Sequence, residues 1–330
     1  MKDALVRTQA QEWERGWTLV LASAVGFSFF SVLLSAVGLF MEPLKQEFGW
    51  DKSLLSAGPA IATGVTALLS PFYGALIDRF GSRRLALPGI VVTMAGTAMF
   101  ALADGSKAQW IAMWALFGLI LTSIKSTIWT TAVAGMFDKG RGLALGIVVA
   151  GTAVSQTVVP PLGNWLIAVS GWRGAFFWLA AGWGSITLVL CWLFLFDAHD
   201  RKARAAADSG DPISKRGAIE LPGLTKAQAL RSPALWMVAV STFTVMLLTI
   251  GLGIHLFPIL TESGVPRGTA AWLLSLGGIS GLIGKLMTGF LLDRFRPNWI
   301  GGLTPGVTAL NFLLPGRFLG AVPAANLCGL

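Results

Sequence analysis

The sequence predicts an all-α membrane protein that crosses the bilayer several times. Of its 330 residues, 54% are hydrophobic and only 12% are charged, and the mean hydropathy is +0.69. Soluble domains carry about 25% charged residues, so this composition excludes a cytosolic enzyme, a disordered chain and a secreted disulfide scaffold. The apolar residues also gather in runs of the length that a helix needs to cross a hydrocarbon core, about 20 residues.

Eight such runs are separated by polar segments. They cover residues 17–41, 53–77, 85–103, 109–137, 143–169, 175–196, 233–260 and 269–292. Because residues 1–15 are polar and the first run is too long for a signal-peptide core, we expect an uncleaved first helix. Cys191 and Cys328 are far apart, so we expect no disulfide framework.

The basic residues predict the orientation. A cytoplasmic N-terminus places seventeen Lys and Arg residues on the cytoplasmic side and five on the other side, in agreement with the positive-inside rule. We therefore expect a multi-pass protein of the cell (inner) membrane with its N-terminus in the cytoplasm. The formal charge of +9 is spread over short loops, so we expect no nucleic-acid partner.

The polar stretch 197–232 predicts a mobile cytoplasmic linker between a six-helix N-terminal half, residues 1–196, and an incomplete C-terminal half, residues 233–330. A shift of 215 residues aligns the two halves without gaps. It pairs Gly38 with Gly253, Pro43 with Pro258, Glu47 with Glu262, Gly49 with Gly264, Gly74 with Gly289, Asp78 with Asp293 and Arg79 with Arg294. These matches indicate an internal duplication with both copies in one orientation, an arrangement typical of alternating-access carriers.

Two lysines lie within apolar runs. Lys125 is 16 residues after Gln109 and 13 before Asp138, close to 20 Å from either end of its run and beyond the reach of a snorkelling side chain. Lys285 is eight residues before Asp293, roughly 12 Å from that end. A lysine at the centre of a membrane helix costs roughly 2.5 to 3.5 kcal/mol and usually serves function.

No carboxylate lies near either lysine in sequence, so we expect the two ammonium groups to flank a carboxylate substrate. The alternative is that one lysine bonds backbone carbonyls or is deprotonated. Thr122, Lys125, Ser126 and Trp129 are spaced to share one helical face that could line a wet cavity.

Two further features are candidates. Ser28 and Ser31 form a polar stripe with Ser35 on the first helix, suited either to lining the path or to helix packing. His255, near the end of the seventh run, could help to couple protons or could be a plain interfacial histidine.

The loop Gly74-Ala-Leu-Ile-Asp-Arg-Phe-Gly-Ser-Arg-Arg84 resembles the signature of the major facilitator superfamily, and Gly289-Phe-Leu-Leu-Asp-Arg-Phe-Arg296 resembles its second-half copy. Gly-Trp-Asp at 49–51, Gly-Trp-Arg at 171–173 and His-Leu-Phe-Pro at 255–258 resemble the bacterial monocarboxylate-transporter-like and oxalate:formate antiporter branch. The resemblance covers about residues 15 to 298. It implies a major facilitator fold with a complete first half and an incomplete second half.

The resemblance also implies roles for charged residues. The loop residues Asp78, Arg79, Arg83 and Arg84, with the copies Asp293 and Arg294, would be gating residues that hold one conformational state, unless the arginines only enforce topology. In the resembling branch, a basic residue of the eighth helix binds the substrate carboxylate. Lys285 occupies that position, where Arg is usual, and Gly281 stands where that branch has an acidic partner.

These observations predict a secondary active transporter that moves a small, monocarboxylate-like organic anion by alternating access, with a coupling proton left open. The rival prediction is a non-transporting membrane remnant or a receptor-like regulatory protein. With only two histidines and no metalloprotease, nucleophile-elbow or phosphate-loop motif, we expect no enzyme, cofactor or metal.

The chain after Asn298 departs from the expected pattern. Pro305, Pro315 and Pro323 interrupt it, so its apolar segments are too short for a spanning helix. We expect a truncated or frame-shifted end, with a ninth helix possible near residues 299–314. A second copy of the chain, or a separately encoded remainder, would then be needed to complete the pathway.

Overall fold

The computed structural model describes residues 9–196 and 231–295, which form helices joined by short turns. The predicted linker, the ninth helix near 299–314 and the interrupted tail lie outside the described residues, except for two residues at the end of the linker. The described helices are α1 (Gln9–Phe48), α2 (Lys52–Phe80), α3 (Ser82–Met99), α4 (Lys107–Leu121), α5 (Ser126–Ala134), α6 (Arg141–Trp178), α7 (Gly184–Phe194), α8 (Pro233–Glu262) and α9 (Arg267–Arg294).

Six helical segments of the described chain are long and apolar enough to cross a membrane. One of them, residues 141–194, contains 54 residues, which is too long for a single crossing. It bends at Gly171, whose φ of 69° is not helical, so the predicted fifth and sixth runs are two helices that meet at a kink. Helix α8 contains a shorter apolar stretch, Leu235–Thr244. The prediction of an all-α, multi-pass membrane protein is confirmed.

Helix α1 lies at the centre of the bundle and contacts α5, α6, α7 and α8. Small residues allow these close contacts. Gly26 lies under the ring of Trp129, Gly151 of α6 lies against the carbonyl of Ala24, and Gly38 faces α8. Because lipid is as apolar as the helix surfaces, close packing of this kind is what holds membrane helices together.

The internal duplication is visible in the backbone. The matched glycines Gly49 and Gly264 both follow a helix and both have positive φ, 66° and 89°, a conformation that glycine adopts without steric cost. The matched prolines Pro43 and Pro258 both lie inside the helix that each glycine follows. The ends of α1 and α8 are therefore built by the same local sequence.

Two ends of the bundle need names. The N-terminal face is the end where α1 begins, and Glu12, Arg83 and Asp293 lie there. The opposite face is the end where α1 stops, and Glu47, Lys52 and Glu262 lie there. Between the two faces, large apolar side chains such as Leu68 and Phe72 are exposed on the outside of the bundle, as expected of a surface in contact with hydrocarbon.

Candidate functional site

Lys125 lies at a break in the fourth predicted helix. Helix α4 ends at Leu121, a 3₁₀ turn follows, Lys125 itself is extended at φ −62° and ψ 161°, and α5 begins at Ser126. The prediction of one continuous helix over 109–137 is therefore corrected. The hydroxyls of Thr122 and Ser123 donate to carbonyls of the preceding turn at 2.9 and 2.6 Å, and side-chain bonds of this kind compete with regular helical backbone.

Two aromatic side chains satisfy the carbonyls that the break frees. The Tyr73 hydroxyl donates to the Ser123 carbonyl at 3.0 Å, and the Trp129 indole N–H donates to the Ile124 carbonyl at 2.8 Å. Non-helical backbone is tolerated at membrane depth only where protein or cavity surrounds it. The prediction that Thr122, Lys125, Ser126 and Trp129 share one helical face assumed a continuous helix, and the break removes that face. Trp129 is fully buried and supports the turn.

The ammonium group of Lys125 is half-buried and donates to the Ser70 hydroxyl of α2. The Ser70 hydroxyl in turn donates a hydrogen bond to the Thr66 carbonyl at 2.5 Å. A hydroxyl does not neutralise the charge, and the N-terminus of α5 adds a partial positive charge beside it. Lys125 therefore marks a region of uncompensated positive potential.

Lys285 has a similar environment on α9. It is half-buried, and its Nζ donates to Thr152 Oγ1 of α6 at 2.7 Å. Thr152 in turn donates to the Val149 carbonyl at 2.8 Å. In the part of the chain that the structure describes, the ion pairs are Lys52 with Glu262 and Arg173 with Glu47, so neither membrane lysine has a carboxylate partner there. The two lysines bond hydroxyls on different helices.

Close packing of α6 on α9 places Lys285 against Thr152. A Cβ atom at Gly289 would lie 2.9 Å from the Cα of Gly146 and 2.9 Å from the carbonyl oxygen of Gly142. Farther along the same interface, Ser275 donates to the Thr157 carbonyl at 2.6 Å. Glycine and hydroxyl residues thus join the two copies of the duplication along one line of close contacts between α6 and α9, which we call the α6–α9 seam.

At the N-terminal face, Asp293 connects the two repeats. Its two carboxylate oxygens accept from the backbone N–H groups of Gly142 and Leu143 at 2.7 and 2.8 Å. A carboxylate is stabilising at a helix N-terminus because the free N–H groups there carry partial positive charge. Arg294 stacks on the Phe290 ring at 4.4 Å.

The other predicted gating residues lie at the same face. Arg83 donates to the carbonyls of Trp192 and Leu195 at 2.6 and 2.9 Å and so caps the C-terminal end of α7 within the first repeat. Arg79 lies beside the Phe80 ring, Arg84 is exposed, and the side chain of Asp78 lies outside the described residues. Gating by this loop stays a prediction.

The serine stripe of α1 is engaged in packing. Ser28 accepts from the Trp183 indole at 2.8 Å and donates to the Val25 carbonyl at 2.7 Å. Ser31 donates to the Ser28 carbonyl at 3.0 Å, and both serines are buried. His255 is half-buried in α8. A substrate contact by these serines and proton coupling by His255 stay predictions.

The sequence analysis missed two carboxylates that organise the bundle ends. Glu12 accepts from the consecutive N–H groups of Asp138, Lys139 and Gly140 at 3.1 to 3.4 Å, and so ties α1 to the turn before α6. Neither the residue type nor the position of Glu12 in the sequence predicted this role, because the N–H groups that it meets lie more than a hundred residues away.

Glu47 organises the opposite face. It accepts from the Trp172 indole at 2.5 Å and from Arg173 at 2.6 Å, and Arg173 also reaches the Ala103 carbonyl at 3.1 Å. The Gly-Trp-Arg segment at 171–173 was the available signal, since it carries an indole donor and a guanidinium that need an acceptor.

Among the described residues, two parallel repeats of apolar helices meet along the α6–α9 seam, and two lysines at membrane depth have no carboxylate partner. These features define a multi-pass membrane protein of the carrier class. The sequence profile of the Major Facilitator Superfamily matches residues 17–328, a range that runs past Asn298. The chain belongs to the Major Facilitator Superfamily. This membership confirms the predicted fold class and indicates a transporter rather than an enzyme.

Several relatives share this family. Monocarboxylate transporter 13 of Bos taurus is 26% identical over 318 residues, which cover 94% of this chain and 67% of the relative. Monocarboxylate transporter 11 of Mus musculus is 27% identical over 84% of this chain and 60% of its own length. A Pseudomonas aeruginosa protein named Transcription regulatory protein OpdE is 27% identical over 86% of this chain and 67% of its own length. The chain thus spans about two thirds or less of the length of these relatives.

Proposed function

We propose that this protein is a secondary active transporter for a small organic anion, such as a monocarboxylate, and that Lys125 and Lys285 bind the anion. One observation carries the proposal. Both ammonium groups lie within membrane-spanning segments, bond only to hydroxyls of Ser70 and Thr152, and have no carboxylate partner among the described residues. A buried cation without an anion is costly in a membrane, and a carboxylate substrate removes that cost.

Binding of the anion would be coupled to movement because the lysines belong to different repeats. A ligand shifts a conformational equilibrium only by binding one state better than the other. An anion between Lys125 and Lys285 favours the state in which the repeats approach each other around it. Support for a carboxylate as cargo comes from the relatives named as monocarboxylate transporters.

The contacts between repeats at the two ends of the bundle suit alternating access. At the N-terminal face, Asp293 holds the start of α6. At the opposite face, Lys52 pairs with Glu262, and Arg267 donates to the Leu39 carbonyl at 3.0 Å. Both sets of contacts are made in this structure, and we propose that they open in turn during transport. We also propose that the N-terminal face is cytoplasmic because it carries most of the basic residues, and that the membrane is the cell (inner) membrane.

Asp293→Asn should shift the conformational balance toward opening of the N-terminal face. The change removes the negative charge from the α6 N-terminus and one acceptor from its N–H groups. A loss of about 1 kcal/mol at this exposed position corresponds to an approximately fivefold change in population. Distances between spin labels at Lys139 and Leu292 would measure it. Lys52→Gln is the matched variant at the opposite face and should shift the balance the other way; identical distance distributions for both variants and the parent would contradict the gating assignment.

The transport proposal is tested by uptake into proteoliposomes. We expect the purified full chain to take up labelled lactate, pyruvate, formate or oxalate above the level of protein-free liposomes, and comparison with and without an imposed proton gradient shows whether a proton is coupled. The variant Lys107→Gln, at the first residue of α4 on the opposite face, should retain uptake. Absence of uptake for all four anions by a folded chain would refute the proposal.

A second candidate is a membrane protein with a regulatory role and no transport activity. The relative named as a transcription regulatory protein favours it. It predicts that the folded chain binds an organic anion without moving it.

A further inference from the structure

A short apolar groove lies between α3 and α7 on the outside of the bundle. It holds about 400 Å³ of space and is lined by Leu87, Pro88, Val91, Leu188, Val189 and Trp192. None of these side chains is charged, and three of them, Val91, Val189 and Trp192, are exposed by 49%, 53% and 61%. The groove is therefore an apolar surface feature that faces the lipid around the protein.

Pro88 and Trp192 explain the shape of the groove. Proline offers a compact ring, and because it has no N–H it leaves the Arg84 carbonyl without its helical donor. Trp192 lines the groove from the facing helix, near the end of α7 that Arg83 caps. The small proline ring on α3 and the large indole on α7 thus lie at a gap between two helices that otherwise pack together.

One end of the groove carries a free cation. Arg84 precedes Leu87, Pro88 and Val91 by three, four and seven residues, so the four residues lie on one face of α3. The Arg84 Cα lies about 10 Å along the helix axis from that of Val91, and side chains on a helix point toward its N-terminus, which here is the N-terminal face. Within the ranges 9–196 and 231–295, Arg84 is exposed and makes neither an ion pair nor a hydrogen bond. Its neighbour Arg83, by contrast, is bonded to carbonyls of the first repeat.

We propose that this groove binds one anionic phospholipid, with an acyl chain between α3 and α7 and the phosphate at Arg84. The apolar lining matches the chain, and the guanidinium at the end matches a phosphate, to which it can donate two parallel hydrogen bonds. The separation of about 10 Å along the helix places the charge at the level of the headgroups while the groove lies in hydrocarbon. This site is separate from Lys125 and Lys285 and does not depend on the transport proposal.

Native mass spectrometry of the full chain in detergent tests the site with two added lipids of matched acyl chains, phosphatidylglycerol and phosphatidylcholine. We expect phosphatidylglycerol to bind more tightly than phosphatidylcholine. Arg84→Gln should weaken the binding of phosphatidylglycerol about fivefold and leave the binding of phosphatidylcholine unchanged. Val91→Phe and Val189→Phe should fill the groove from its two walls and remove the bound lipid of either type. Free glycerol 3-phosphate should not compete, because it has no acyl chain.

Matched controls are available on the same helix and at the same face. Val92 is 47% exposed and is not among the residues that line the groove, so the Val92→Phe variant should bind lipid as the parent does. Arg141→Gln removes an exposed arginine from the same face and should also have no effect. Equal binding of the two lipids by the parent, retained binding in both groove-filling variants, or equal losses in the controls would each overturn the proposal.

Discussion

Replacing Lys285 with Gln should abolish uptake of the organic anion while the protein still inserts in the membrane and folds. Gln keeps a neutral side-chain donor on the same face of α9, one bond shorter than the lysine that donates to Thr152 at 2.7 Å. The positive charge that would bind a carboxylate is lost, and a hydrogen bond to a charged group contributes roughly 1.5 to 3 kcal/mol. We expect uptake in proteoliposomes to fall at least tenfold, to the level of protein-free liposomes.

Lys285→Arg is the matched control for this prediction. It retains the charge and offers a planar, bidentate donor to the carboxylate, so uptake should persist, with a changed preference among formate, lactate and oxalate. Lys125→Gln should resemble Lys285→Gln, because each ammonium group bonds a hydroxyl and neither has a carboxylate partner in the described ranges 9–196 and 231–295. Wild-type uptake by Lys285→Gln would show that Lys285 is a structural residue of the α6–α9 seam.

Gly289→Leu should separate α9 from α6 and so separate the two repeats. The first atom of any side chain at this position would lie 2.9 Å from the Cα of Gly146 and from the carbonyl oxygen of Gly142. Both atoms belong to the backbone and cannot rotate away. Overpacking of this kind costs about 1 to 3 kcal/mol, and occasionally more, and we expect the upper end of that range. The fraction of monodisperse protein and its thermal unfolding in detergent would measure the loss.

The duplication supplies the control for Gly289→Leu. Gly74 is the equivalent residue of the first repeat, and a Cβ atom there would meet nothing within 4 Å. Gly74→Leu has the same change in helix propensity and in side-chain size, and should leave unfolding of the purified chain unchanged. If both leucine variants lose stability equally, the cause is the helix itself and not the seam between α6 and α9.

Much of the fold was predictable because a bilayer imposes a simple rule on the chain. Each crossing needs about 20 apolar residues, so the positions of α2, α3, α8 and α9 follow from the runs. The duplication was equally accessible, since Gly49 and Gly264 are matched in sequence and adopt the same positive φ. The division at residues 197–232 stays a prediction.

The break at Lys125 was not predictable from hydropathy. By average hydropathy, residues 107–134 form one apolar span, and the break arises from two hydroxyls that bond back to the preceding turn. It persists because Tyr73, from a helix distant in sequence, reaches the freed Ser123 carbonyl. No pattern in the sequence around the break predicts a hydrogen-bond partner from another helix.

The class of the protein, its repeated architecture and the two lysines at membrane depth follow from the amino-acid sequence, because they depend on the order of apolar, glycine and charged residues along the chain. The contacts of each lysine, the support of a helix break by Trp129 and the joining of distant segments by Glu12 and Glu47 are seen only in the folded protein. Hydrogen bonds and glycine contacts act over about 3 Å, between side chains and backbone that meet only after the helices have packed.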